Sequence, residues 1–159
     1  MDSERYKDVR SSIDNSEYKF ISEGKNGLIE KVVQYKIFDE ALPDLYNLGF
    51  GHLHENGKSI DDTVRADNGD MMKILSTVAF TVNDFVKHYP KKRIYIRGSD
   101  PVRTRVYQMA ISKYYDEISK EYKIYGHLLE HMAEGSEGKY HLEPFQKNKN
   151  YFGFLVVRK

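Results

Sequence analysis

Between residues 71 and 86, Met71, Ile74, Leu75, Val78, Val82, Phe85 and Val86 recur at spacings of three and four. That rhythm writes one apolar stripe on a helix, and a helix with one apolar stripe needs a surface to cover. The residues before it have a different rhythm. From Leu28 to Phe38, Ile29, Val33, Tyr35 and Ile37 fall on one side of an extended chain, and Glu30, Gln34 and Lys36 on the other. A period of two is the mark of a half-buried strand. A chain that changes period in this way, strands first and helix after, predicts a sheet with helices on one face.

The reading extends along the chain. Tyr18 to Ser22 forms a first strand, and Glu23 to Gly27 a turn of hairpin length. Leu28 to Phe38 is the second strand, with Lys31 and Val32 out of pattern, which predicts an edge or a bulge there. Leu45 to Leu53 is the third. The first helix is expected to be capped by Asp67 or Asn68, with Asp70 in its first turn, and to end near Lys87 and His88 ahead of Pro90. Arg93 to Arg97 is a fourth strand. Asp100 and Pro101 then open a second helix, with Asp100 as its cap. The inner stripe of that helix is expected to be Val102, Val106, Met109, Ala110, Tyr114 and Ile118. Tyr122 to Leu129 is a fifth strand, residues 131–150 a polar excursion, and Tyr151 to Val157 a sixth strand. The expected class is α+β: a two-layer sandwich with a mixed, mostly antiparallel sheet of five to six strands and two amphipathic helices, in the order β-β-β-α-β-α-β-β. Its opening has the topology of the ribonuclease H-like fold, an analogy that carries no function. Residues 1–16 are expected to be a flexible or short-helical lead-in, and 17–159 one domain.

Composition narrows the function classes. The chain has 159 residues, no cysteine and 31% charged residues. Without cysteine there is no disulfide scaffold and no thiolate site, and a reducing, cytoplasmic setting fits. No segment reads as a signal peptide or a membrane span. The net charge of +1 hides an asymmetry: ten Lys/Arg face fifteen Asp/Glu in residues 1–80, and fifteen face nine in 81–159. That imbalance fits pairing between the halves, or a basic face for nucleic acid.

Three groups of residues bear chemistry. Arg97, Ser99, Arg103 and Arg105 surround a predicted strand–turn–helix junction. Helix N-termini attract anions, and two arginines there oppose the helix dipole unless something negative offsets them. A phosphate fits that place, and so does a carboxylate from Asp61, Asp62 or Asp67. Lys91, Lys92 and Arg93, with Tyr95 and Tyr107 nearby, pair cations with aromatic rings, as single-strand binders do. Asp61, Asp62, Asp67 and Asp70 form an acidic group without the spacing of a calcium loop, best read as a solvated loop and a helix cap. His52, His54, His88, His127, His131 and His141 form no zinc pattern and read as surface residues. No cofactor or metal is expected.

Several blocks together resemble a family of small uncharacterised bacterial proteins, a domain of unknown function. They are Tyr46 to Gly51, Asp61-Asp62-Thr63, Asn68-Gly69-Asp70 with Lys73 to Val78, and Gly98-Ser99 followed by Arg103 to Tyr107. Gly-Ser-x-x-x-Arg-Thr-Arg is the most specific of them. The resemblance spans Tyr18 to the C-terminal Lys159 and transfers no catalytic role. It implies that the arginines of the junction belong to the family pattern. Small bacterial proteins of this kind occur in toxin–antitoxin and defence pairs. Three functions therefore stand as expectations. The first is a non-enzymatic binding module with a protein partner or a second copy. The second is a nucleic-acid binder, and the third an enzyme acting on a phosphorylated substrate or nucleic-acid backbone.

Overall fold

The computed structural model describes residues 4–53, 60–61, 68–129 and 140–159. The chain divides into two units, Met1–Lys92 and Arg93–Lys159.

In the first unit, β1 (Arg10–Ser11), β2 (Glu17–Gly24), β3 (Gly27–Ile37) and β4 (Leu45–Leu53) pair in sequence order, and β5 (Ile60–Asp61) pairs with β4. Every pairing is antiparallel. The β2–β3 hairpin turns on Lys25 and Asn26, with Gly24 opposite Gly27. Gly27 has φ 85°, a left-handed conformation that side chains disfavour, so the turn needs glycine there. The helix α1 (Met71–His88) lies on the face made by Tyr18, Phe20, Val33, Tyr35 and Leu48. Tyr35 stacks on Phe85 with centroids 4.2 Å apart, and its hydroxyl shares a 2.8 Å hydrogen bond with Thr81 Oγ1. The Tyr18 hydroxyl donates to Asp84 at 2.7 Å. Ahead of the sheet, Tyr6 is buried: its backbone N–H donates to Thr77 Oγ1 at 2.9 Å, and its ring stacks on Phe20.

In the second unit the strand order is β6 (Arg93–Ile96), β9 (Gly153–Arg158), β7 (Tyr122–Leu129) and β8 (Tyr140–Pro144), again antiparallel throughout. The helix α2 (Pro101–Lys113) and the single turn α3 (Tyr115–Ile118) accompany it. Phe145, Tyr151 and Phe154 pack together over this sheet; Tyr115 of α3 stacks on Phe145, and Gln108 of α2 donates to the Lys149 carbonyl.

The α+β class therefore holds, and the expected strands appear near their expected bounds. Four details differ. The described residues contain nine strands and three helices, not five to six strands and two helices. β1 and β5 are two residues long, too short to show a period, and β8 lies inside the polar excursion. Second, Lys31 marks neither an edge nor a bulge. Its strand is paired without interruption on both sides, Lys31 standing opposite Phe20 and His52. Its side chain therefore points to the α1 face and is only 6% exposed.

Third, α1 is capped by Asp70 rather than Asp67 or Asn68, and Asp70 makes no side-chain cap bond; Met71 is exposed. Fourth, α2 is rotated from the expected setting. Thr104, Gln108 and Ile111 are its buried residues, while Val102 is 58% and Met109 66% exposed.

Candidate functional site

The rotation of α2 begins at its first turn. Asp100 caps the helix as expected, accepting from the Arg103 N–H at 2.8 Å, with Pro101 in the first turn. The Gly98 N–H donates to Thr104 Oγ1 at 3.0 Å, and the Thr104 hydroxyl donates to the Asp100 carbonyl at 3.0 Å. These bonds draw Thr104 inward and leave Val102 and Arg105 outside. Gly98 must be glycine for this closure: a Cβ there would sit 2.6 Å from the Thr104 backbone nitrogen. The Arg103 guanidinium donates to Asp100 Oδ2 at 2.6 Å and to Ser99 Oγ at 3.2 Å. The arginine that opposes the dipole is thus offset by the cap residue three positions earlier. The Arg103 N–H and then its charge hold the Asp100 carboxyl below its ordinary range. Of the carboxylates expected to play this part, Asp62 and Asp67 lie outside the described residues, as does the side chain of Asp61. Ser99 and Arg105 are exposed.

Thr104→Val tests the closure. It keeps the shape, removes the acceptor of the buried Gly98 N–H, and should destabilise the protein by about 1–3 kcal/mol in urea unfolding.

Arg97 and Tyr95 meet a partner the sequence did not single out. Tyr95 is buried, and its hydroxyl is hydrogen-bonded to His127 Nδ1 at 2.8 Å. His127 stands opposite Gly153, where a Cβ would fall 2.2 Å from the Tyr95 hydroxyl oxygen. The exposed Arg97 lays its guanidinium over the Phe152 ring at 3.9 Å, and the His127 ring meets the same phenyl edge-on at 5.8 Å. Burial first, then the positive charges of Arg97 and His141, hold the His127 imidazole below its ordinary value. No local pattern foretells this cluster, because the β7–β9 pairing creates it.

The remaining basic and aromatic candidates are dispersed. Lys91 is exposed. Lys92 donates to Asp44 at 3.1 Å and to the Pro43 carbonyl at 3.2 Å. Arg93 is half-buried at the start of β6, and Tyr107 half-buried on α2.

In the first unit, Asn68-Gly69-Asp70 is a structural clamp. Asn68 Oδ1 accepts from the Asn26 N–H at 2.6 Å, and its amide donates to the Gly27 carbonyl at 2.9 Å and to Ser22 Oγ at 3.1 Å. Gly69 takes the left-handed φ of 78°. Asp70 Oδ2 accepts from the Tyr6 hydroxyl and, at 2.6 Å, from Ser22. Burial pushes the nearby Lys31 ammonium below its ordinary value, and the Asp70 charge partly restores it. Among the described residues no group of His, Asp and Glu gathers in a metal-binding arrangement, and no helix is long and apolar enough to cross a membrane.

Antiparallel strands accompanied by helices, with a self-capped strand–turn–helix block inside the second unit, define a small α+β protein. The chain belongs to a family of unknown function, DUF6934, whose profile matches residues 2–159. No curated protein and no solved structure matches it.

Proposed function

We propose that this protein is an interaction module that docks a partner on the outward face of α2. The observation that carries the proposal is the exposure of Val102 and Met109 on the face that also bears Arg105 and Lys113. The spacing of three, four and four residues aligns these side chains in one row. Leaving two apolar side chains in water forgoes roughly 1.5–3 kcal/mol of burial for each, a loss that a partner would recover. α2 contains no carboxylate, so the row is apolar and basic. The fitting partner surface is apolar and acidic.

The chain itself carries such a surface. Residues 36–44, from the last residues of β3 to the start of β4, are exposed throughout, with Ile37, Phe38 and Leu42 interleaved with Asp39, Glu40 and Asp44. A second copy is therefore the partner to measure first. A toxin–antitoxin or defence setting would employ the same docking face. Sedimentation equilibrium over a wide concentration range should show reversible association that weakens with salt. Val102→Asp/Met109→Asp should remain monomeric. Wild type that stays monomeric, and that fails to bind a synthetic peptide of residues 36–44, would refute docking through this face.

A further inference from the structure

The first unit buries an amine that its own fold does not use. We infer that Lys31 is a reactive amine, the site at which a small neutral aldehyde or ketone condenses as an imine, with Asp70 as its proton acceptor and counter-charge. Lys31 lies on the α1 face of β3, opposite Phe20 of β2, and is buried. Its nitrogen is 5.9 Å from the centre of the Phe50 ring, and Phe20 and Phe50 stack on each other at 6.5 Å. Among the described residues Lys31 makes no hydrogen bond and no ion pair. A charged ammonium is costly in such a place. Burial therefore lowers its pKa, and the Asp70 charge acts in the other direction without reversing the effect. A desolvated lysine of this kind offers the lone pair that attacks a carbonyl carbon.

Asp70 supplies the second, independent observation. Its Oδ2 accepts from the Tyr6 and Ser22 hydroxyls, while its Oδ1 is buried and has no hydrogen-bond partner among the described residues. Nor does this carboxylate cap α1. Buried polar atoms are almost always satisfied, so an amine and a carboxylate oxygen, both left open and within range of each other's charge, point to a guest. A carbonyl compound satisfies both. Its carbon takes the nitrogen lone pair, and the carbinolamine hydroxyl so formed donates to Oδ1. The C–N bond forms and the C–O bond breaks. Asp70 carries a proton from nitrogen to the departing oxygen, so that R–NH2 and O=CHR′ give R–N=CHR′ and H2O. The imine, once protonated, keeps the positive charge that Asp70 balances. Carbon dioxide fits less well, because a carbamate would add a second negative charge beside Asp70. Asp70 is half-buried, and Gly69 and Met71 on either side of it are exposed, so the guest enters beside the first turn of α1.

The test is reductive alkylation of the folded protein at neutral pH with limiting propanal. Cyanoborohydride supplies the hydride that turns the imine into a secondary amine, and peptide mass spectrometry reads each lysine. Lys31 should react about tenfold faster than the exposed Lys36 and Lys91, or more, because a larger share of it is neutral. Pyruvate, which is anionic, should show less preference for Lys31 than propanal does; the reverse order overturns the assignment to a neutral carbonyl compound. Lys31→Met keeps the length of the stem. It should remove the fast site, leave Lys36 and Lys91 unchanged, and unfold in urea at the wild-type midpoint or above. The inference is overturned if Lys31 reacts no faster than Lys36 and Lys91, or reacts only once urea has unfolded the chain. It is also overturned if Lys31→Met lowers the midpoint, since the amine would then belong to the bonding of the core. Val102→Asp/Met109→Asp should be alkylated at Lys31 as wild type is, so failure of α2 docking and failure of this site are separate results.

Discussion

Phe85→Ala should destabilise the protein by about 3–5 kcal/mol, a large part of the stability of a domain of this size. Phe85 is almost wholly buried on α1, where three tyrosine rings meet it. Tyr35 stacks flat on it at 4.2 Å, Tyr89 lies at 5.0 Å and Tyr46 at 5.3 Å. Truncation removes the ring and leaves a cavity that its neighbours cannot fill. Tyr35 is held by its bond to Thr81, and Tyr89 by a bond to the Asp14 carbonyl. The measurement is the urea midpoint, with the slope of the transition unchanged. Phe85→Leu, which keeps most of the volume, should cost clearly less. Equal losses for the two variants would mean that ring stacking, not cavity formation, dominates.

Asn68→Ala should cost about 2–3 kcal/mol by a different mechanism. The substitution takes away an acceptor from Asn26 and a donor from Gly27 and Ser22, and of these Ser22 is fully buried. The Ser22 hydroxyl would keep its bond to Asp70 and lose the one from Asn68. Asn68→Asp is a sharper probe, because it keeps the oxygen that the Asn26 N–H needs. It replaces the donor with a second carboxylate beside Asp70, so it should destabilise at least as much near neutral pH and recover as the pH falls. Hydrogen exchange at Asn26 reads the same event locally: fast in Asn68→Ala and slow in Asn68→Asp. A stability unchanged in Asn68→Ala would show that the hairpin turn holds without its clamp.

The parts of this fold that could be read in advance are those where one face is apolar and the other is not. β3, β4 and α1 have that property over nine to eighteen residues. α2 does not. Its inward positions are Thr104, Gln108 and Ile111, two of them polar, so a rule that turns apolar side chains inward sets the helix the wrong way round. The cue that corrects it was in the sequence: Gly98, Asp100 and Thr104 stand at the spacing of a closed cap. Lys31 misled for the same reason, since alternation treats a lysine as an outward residue even where the register sends it inward. Arg97 and Tyr95 were legible as candidates, but His127 was not. It joins them only through strand pairing between segments far apart in the chain, and no local period encodes that. Asp70, expected to serve the dipole of α1, instead accepts hydrogen bonds from Tyr6 and Ser22, two contacts that depend on where the first strands lie.

The hydrogen bonds that close Gly98, Asp100 and Thr104 on one another draw on no residue outside that short stretch. The turn is therefore a self-contained part in an engineering sense. Its instructions travel with about seven consecutive residues, so it can be moved to another strand–helix junction without its surroundings. Within it, the glycine leaves room for the helix backbone and the threonine accepts the glycine N–H, so exchanging either breaks the part.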